Sequence, residues 1–131
     1  MTSRPESLLP EQFGPLQGVR IISTGTVVAE PFAAALAAEM GAEVVQIERP
    51  GLGDVTRSLS APIGDQGEPK MNALWLQDRR NTFYTTLDFT VPEGKEMFLG
   101  LIAEADIWME SSKAGTWNNW GLDDATCLAV N

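Results

Sequence analysis

The chain has 131 residues, the length of one domain, and its 44% hydrophobic residues are enough to build a buried core. Its 9 Lys and Arg against 18 Asp and Glu give a formal net charge of −9, which argues against nucleic-acid binding because that needs a basic face. The sequence contains no His, which excludes a Ser-His-Asp triad, a Cys-His dyad and a His-based metal site within the chain. We therefore expect no metal and no nucleic-acid partner.

The single cysteine and the N-terminal sequence predict the environment of the protein. Cys127 has no partner for a disulfide, and its place in an amphipathic stretch beside Leu128 predicts a buried thiol. Residues 1–12 contain no long apolar segment of the kind that secretion signals carry. No apolar run approaches the ~18 residues of a membrane span. We predict a cytoplasmic protein without a membrane partner.

The first third of the chain predicts an extended arm followed by one βαβ unit. The arm covers residues 1–14, where Pro and Gly recur. The unit consists of a strand over 19–24, a turn over 25–29, a helix with Pro31 at its first position and Gly41 after its end, and a strand over 43–48. A strand, a helix and a strand within about 30 residues imply a right-handed parallel crossover.

The helix of this unit has an uneven distribution of apolar side chains. Phe32, Leu36 and Met40 recur at every fourth position and form one narrow apolar stripe. Alanines on either side would let the helix lie close to a sheet.

The rest of the chain continues the alternation of helices and strands. We predict a long loop over 50–70, a short helix over 71–76, a strand over 84–88, a helix started by a Thr90-to-Glu93 capping box, a strand over 107–110, a short helix with Trp117 and Trp120, and a last helix capped by Asp123. We expect both tryptophans to pack in the core. The pattern predicts an α/β fold with a Rossmann-like parallel sheet and flanking helices.

Ligands of open parallel sheets bind beyond the carboxyl ends of the strands. The segments in question are 24–30, 48–49 with the following loop, and 110–115. A dinucleotide-binding loop needs G-x-G-x-x-G, but the first turn has only Gly25. This disfavours a nicotinamide-dependent oxidoreductase and leaves a helix N terminus with free N–H groups.

Arg49 is the main candidate for binding an anion. It directly follows a predicted strand, and an arginine there can bind a phosphate or stack on a purine. The alternative is a surface ion pair with Glu48 or Asp54. Neither interpretation is decided by the residues alone.

Five carboxylates lie near predicted strand ends or loops, and any of them could act as a base. They are Glu48, Asp54, Asp78, Asp88 and Glu110. No two of them have a spacing that demands a pair, so we expect each to be solvated at the surface.

From Pro15 onward the chain resembles the class III CoA-transferases, the CaiB/BaiF type that includes formyl-CoA and carnitine CoA-transferases. The matching pieces are Pro15-Leu16-x-Gly18-Val19-Arg20, Ala29-x-Pro31-Phe32, Gly41 to Arg49, Gly53-Asp54 with Arg57, Asn81, Leu87-Asp88, Pro92-Glu93-Gly94, Ala105-Asp106-Ile107 and Gly121-Leu122. Two further segments, 79–81 and 110–113, look closest to the carnitine branch. In many relatives the Glu110 segment reads Glu-Asn-Phe/Tyr, so the chain departs from the pattern there.

The resemblance implies an enzyme that moves CoA between carboxylic acids through an aspartyl-CoA intermediate. Its substrates would be an acyl-CoA and a carboxylic acid, and the full-length protein would be an interlocked homodimer. The residues that would contact CoA are Thr26, Val27, Val28, Ala29, Arg49, Asn81, Ser111 and Ser112. The nucleophilic aspartate of relatives lies beyond Asn131, so the resemblance implies no catalytic residue in this chain.

Two hypotheses follow. In the first, residues 15–131 are the N-terminal part of the CoA-binding domain of a CoA-transferase, with carnitine-like specificity, and this part is inactive alone. In the second, the chain is a non-catalytic Rossmann-like module that binds a nucleotide, CoA or a protein partner.

Overall fold

The structure is a computed structural model, and it describes residues 6–9, 14–59, 62–63 and 71–131. Its elements are β1 (Arg20–Ser23), α1 (Ala29–Glu39), β2 (Glu43–Glu48), α2 (Thr56–Leu59), β3 (Pro62–Ile63), β4 (Met71–Asn72), α3 (Ala73–Asp78), β5 (Phe83–Thr86), α4 (Pro92–Ala103), β6 (Ile107–Met109), α5 (Thr116–Trp120) and α6 (Asp124–Leu128). The predicted alternation of strands and helices is confirmed.

Four strands form one parallel sheet in the order β5-β2-β1-β6. Ile21 in the central strand pairs with Val44 on one side and with Ile107 on the other. The chain therefore builds the sheet outward from β1 through β2 and β5, and then crosses back to place β6 on the other side. This reversal creates a topological switch point between β1 and β6, where open α/β sheets bind ligands.

One face of the sheet packs against α1 through small side chains. Ala34 and Ala38 are fully buried against Ile21 and Val44, which confirms the expected close approach of helix and sheet. The apolar stripe of α1 points the other way, and its members Phe32, Leu36 and Met40 are 38%, 39% and 49% exposed. Two positions along a helix correspond to about 200° of rotation, so the side chains at 32 and 34 lie on opposite faces.

The other face of the sheet is covered by an aromatic layer. Phe98 of α4 stacks on Trp117 of α5 with ring centroids 5.3 Å apart, and Trp108 meets Trp117 edge-on at 4.7 Å. Trp120 packs against the same cluster, and Cys127 is buried in it. The predicted buried thiol and the core position of Trp117 are therefore confirmed, and Trp120 packs against the core while it stays partly exposed.

The start of α4 differs from the prediction. Its N-cap is Val91, with Pro92 in the first turn and no capping side chain, so the predicted Thr90 capping box is wrong. The Thr90 N–H and hydroxyl both donate to Asp88 Oδ1, at 2.9 and 2.6 Å. Asp88 thus closes a local turn at the end of β5, and this competes with capping. At α6 the prediction is confirmed, since Asp123 accepts from the Thr126 N–H at 2.9 Å.

The region predicted as one long loop over 50–70 contains α2 and β3, and β3 pairs antiparallel with β4, which takes up the first two residues of the predicted helix over 71–76. The short helix predicted at 71–76 begins at Ala73, because the Asn72 side chain caps it by accepting from the N–H groups of Leu74 and Trp75. Residues 60–61 and 64–70 of that loop, and 1–5 and 10–13 of the predicted arm, lie outside the described residues.

Candidate functional site

A cleft of about 270 Å³ lies at the carboxyl ends of the four parallel strands. Each of these strands contributes the segment that follows it. The lining consists of Thr24 to Thr26 after β1, Gln46 to Arg49 with Gly53 and Asp54 around the end of β2, Leu87 to Thr90 after β5, and Ser112, Trp117 and Trp120 after β6. Its position is the one that the topology of the sheet favours for a ligand.

The turn from β1 into α1 is held in an unusual conformation. Val27 has φ 69°, a region that β-branched residues rarely adopt. Its N–H donates to Asp54 Oδ2 at 2.9 Å, and its carbonyl accepts from Arg79 Nη2 at 3.3 Å. Both sides of this residue are therefore fixed by charged side chains from other elements.

Asp54 and Arg79 form a buried ion pair behind this turn. Their side chains are 2% and 1% exposed, and Arg79 Nη2 lies 2.9 Å from Asp54 Oδ2. Burial raises the pKa of Asp54, but hydrogen bonds from Thr56 and Val27 and the charge of Arg79 outweigh it and lower the pKa overall. Asp54 is thus a charged, fully bonded group that joins the loop after β2 to the β1–α1 turn.

Glu48 organises the start of the same loop. Its buried carboxylate accepts two hydrogen bonds from Arg57, from Nε at 2.8 Å and Nη2 at 2.9 Å, and one from the Asp54 N–H at 3.0 Å. The Arg57 guanidinium lies 4.1 Å above the Trp75 ring. The loop is therefore folded back onto the end of β2.

This pairing excludes one of the two alternatives for Arg49, the surface ion pair with Glu48 or Asp54. Glu48 binds Arg57 and Asp54 binds Arg79, so neither carboxylate that could have formed a surface pair with Arg49 does so. Arg49 is exposed at the cleft and forms no ion pair with any other residue that the structure describes. Hydrogen bonds from Thr90, and in smaller part the charge of Arg49, lower the pKa of Asp88.

The expectation that all five carboxylates are solvated is wrong for three of them. Glu48, Asp54 and Asp78 are buried, whereas Asp88 and Glu110 are exposed. Burial is possible for Glu48 and Asp54 because each is matched by an arginine and by backbone donors.

The switch point is bridged by hydrogen bonds between the segments after β1 and β6. The Thr26 N–H donates to Ser111 Oγ at 3.3 Å, and Trp108 Nε1 donates to Thr24 Oγ1 at 2.9 Å. Glu110 accepts from Trp117 Nε1 at 2.9 Å. These contacts connect the aromatic layer to the wall of the cleft.

Three of the eight predicted site residues line the cleft, and four others lie next to them. Thr26, Arg49 and Ser112 line the cleft, and Ser111 is bonded to Thr26. Val27, Val28 and Ala29 continue the same turn with exposed side chains. Asn81 precedes β5, at the amino end of that strand, and is not part of the cleft lining.

Sequence reasoning missed Asp54 and Arg79 as organisers of the turn. Asp54 has a local signal, because Thr two positions later is a common donor to an aspartate side chain. Arg79 lies 25 positions away from Asp54, and no spacing rule connects two such residues.

The described ranges contain no cluster of three or more carboxylate or thiol groups arranged to hold a metal ion. No helix within those ranges is both long and apolar enough to cross a bilayer.

Comparison with known proteins identifies the family. Residues 16–131 match the model of CoA-transferase family III, and the chain therefore belongs to that family.

Several CoA-transferases are similar in sequence to most of this chain. The succinyl-CoA–L-malate CoA-transferase beta subunit of Chloroflexus aurantiacus is 40% identical over 108 residues, 82% of this chain and 26% of the relative. The L-carnitine CoA-transferase of Proteus mirabilis is 36% identical over 119 residues, 91% of this chain and 26% of the relative. The chain thus spans about a quarter of these relatives.

A solved structure shows the same fold. The CAIB/BAIF family protein of Brucella suis superposes with a TM-score of 0.83 at 32% identity, over 92% of this chain and 32% of that one. The predicted fold class and family resemblance are confirmed.

Proposed function

We propose that this chain is the CoA-binding N-terminal part of an enzyme that transfers CoA between carboxylic acids, and that the cleft receives CoA. The observation that supports this most is the position of Arg49, an exposed arginine at the carboxyl edge of the sheet whose two candidate ion-pair partners, Glu48 and Asp54, are paired with other arginines. A free arginine can bind the phosphates of CoA with two parallel hydrogen bonds.

The start of α1 supplies the second part of the proposed site. No side chain caps this helix, and its N terminus, with the positive end of its dipole, lies at the exposed turn over 26–29. In the proposal, Thr26 to Ala29, Ser111 and Ser112 contact CoA from this side. Asn81 would reach the ligand only from the other end of β5.

The chain is proposed to bind CoA and not to supply the nucleophile. The aspartate that would form the aspartyl-CoA intermediate comes from sequence beyond Asn131, and the chain alone is expected to be inactive. The intact protein is proposed to be an interlocked homodimer that works in the cytoplasm on an acyl-CoA and a carboxylic acid.

We also propose that the acceptor acid is of the carnitine type. One of the sequence segments that suggested this acceptor contains a residue that the structure places in the interior. Arg79, one of the residues in the carnitine-like segment, is bonded to Asp54 in the interior and cannot contact a substrate. Relatives act on L-malate as well as on L-carnitine, by their names. The decisive assay offers succinyl-CoA to the intact protein with either acid as acceptor, and transfer to L-carnitine in preference to L-malate is the expected result.

The test of CoA binding is calorimetry on the intact protein with Arg49→Met. Losing one charged contact to phosphate should weaken CoA binding by about tenfold or more. The matched control is Arg80→Met, which removes an arginine exposed outside the cleft and should leave the affinity unchanged.

Two results would contradict the proposal. Equal CoA affinity of wild type and Arg49→Met would remove Arg49 from the site. Binding of CoA without transfer to any carboxylic acid would favour the non-catalytic module.

A further inference from the structure

Glu30 is a buried carboxyl group directly beneath the β1–α1 turn. It lies in the first turn of α1 and is 7% exposed. The backbone of Gly25 rests on it so closely that a Cβ at position 25 would lie 2.0 Å from Glu30 Oε2. The turn that lines the cleft therefore sits on this carboxyl.

The side chains of Ser23 and Gln46, next to Glu30, determine which hydrogen-bond donors are available to its carboxyl group. Gln46 Nε2 donates to the Gly25 carbonyl at 3.0 Å, which sets the amide orientation and turns Oε1 toward Ser23, 2.6 Å from its Oγ. An amide oxygen only accepts, so the single hydroxyl proton of Ser23 goes to Gln46. Glu30 Oε2 is 3.1 Å from the same Ser23 oxygen.

The contact between Glu30 and Ser23 therefore requires a second proton. A charged carboxylate would place an acceptor against an acceptor, either at Ser23 or, if the hydroxyl rotated, between Ser23 and Gln46. A neutral carboxylic acid removes the conflict, because its O–H donates to Ser23 Oγ.

The electrostatic surroundings of Glu30 also favour the neutral acid. Burial raises the pKa of Glu30 to about 7, with a smaller contribution in the same direction from the charge of Glu110. The charge of Arg79 and the Gly25 N–H favour the charged form, as a hydrogen bond donated by Ser23 would, but burial outweighs all three. Glu30 Oε1 has no hydrogen-bond partner among the described residues.

We propose that Glu30 is a positioning residue of the cleft, which works as a neutral acid and donates to Ser23. The chain of donors then runs from Glu30 through Ser23 and Gln46 to the Gly25 carbonyl, and it holds the turn that lines the cleft. Loss of the proton breaks this chain and releases the turn. The consequence for CoA binding rests on the proposed function.

The first test measures the CoA affinity of the intact protein at about pH 6 and about pH 8, for wild type and Glu30→Gln. Glutamine keeps a donor and cannot ionise. The two proteins should bind equally at pH 6, and wild type should bind about tenfold more weakly than the variant at pH 8, where about a tenth of Glu30 keeps its proton. The ratio of the two affinities cancels the titration of CoA itself.

Glu39→Gln is the matched control, because Glu39 lies at the other end of α1 and is exposed. The CoA affinity of the Glu39→Gln variant should equal that of wild type at both pH values. If the ratio of the CoA affinities of wild type and Glu30→Gln is the same at both pH values, the proposal is overturned.

The second test is independent of CoA. The carboxyl ¹³C resonance that is absent from Glu30→Gln should titrate near pH 7 in wild type, and titration near the ordinary value of 4.5 would overturn the proposal. If wild type binds no CoA at either pH, the proposed function fails, while this titration still decides the state of Glu30.

Discussion

Arg79 and Arg80 are adjacent in the chain, yet they form ion pairs in two very different regions. Arg79 binds Asp54 in the interior beside the cleft, at 2.9 Å with both side chains almost fully buried. Arg80 binds Glu39 at the C-terminal end of α1, at 2.6 Å with both side chains 38% exposed. The distances are similar, and the surroundings differ.

The difference shows where charge organises this fold. In the exposed pair, water and salt screen the attraction and both side chains lose conformational freedom, so the net gain is small. In the interior, water cannot stabilise either charge, so each is stabilised by its partner. Asp54 also accepts from the Val27 N–H, and Arg79 donates to the Val27 carbonyl. The network beside the cleft therefore determines the shape of the candidate site, and the surface pair does not.

The largest effect is expected from breaking the interior pair with Arg79→Met. This change leaves Asp54 charged and buried without its cation, and should lower the free energy of unfolding by about 3–5 kcal/mol. Urea unfolding at neutral pH measures it. A loss no larger than that of Arg80→Met would contradict the contrast between the two regions.

The next effect concerns a buried acid that has no cation of its own. Because burial raises the pKa of Glu30 above the unfolded value of 4.5, its contribution to stability is complete below pH 4.5 and is lost as the pH rises to about 7. Glu30→Gln avoids this loss and should be more stable than wild type by about 3 kcal/mol at pH 8, with no difference at pH 4.

Urea unfolding of both proteins at the two pH values checks this difference. Equal stability at pH 8 would show that the carboxyl is accommodated as an anion.

The smallest effect is expected from Arg80→Met. Its partner Glu39 remains solvated when the cation is lost, so the urea midpoint and the CoA affinity of the intact protein should not change measurably. A clear loss of stability would mean that the surface pair does more than its exposure indicates.

The fold could be predicted because its signals are local. Pro31 in the first turn, Gly41 after the last turn and β-branched residues on either side mark the βαβ unit without any knowledge of tertiary contacts. The apolar stripe of α1 is not the face that packs against the sheet, and the reason is physical. Large side chains give the stronger hydrophobic pattern, but the sheet accepts only alanines at the short distance that this helix keeps.

The site could be predicted only in part. The topology favours ligands at the carboxyl edge, and the candidate segments 24–30, 48–49 and 110–115 follow from that rule, whereas the contacts at 26–29 were implied by the family resemblance. The burial of Glu48 and Asp54 does not follow, because it depends on Arg57 and Arg79, which are brought to them by the fold. Glu30 gave no signal either, since the proton it needs depends on the arrangement of Ser23 and Gln46.

The most direct test of the central claim is a crystal structure of the intact protein with CoA bound. The account predicts CoA in the cleft at the carboxyl edge, with a phosphate at Arg49 and the turn over 26–29 against the ligand. CoA bound elsewhere, with this cleft empty and Arg49 in solvent, would contradict it.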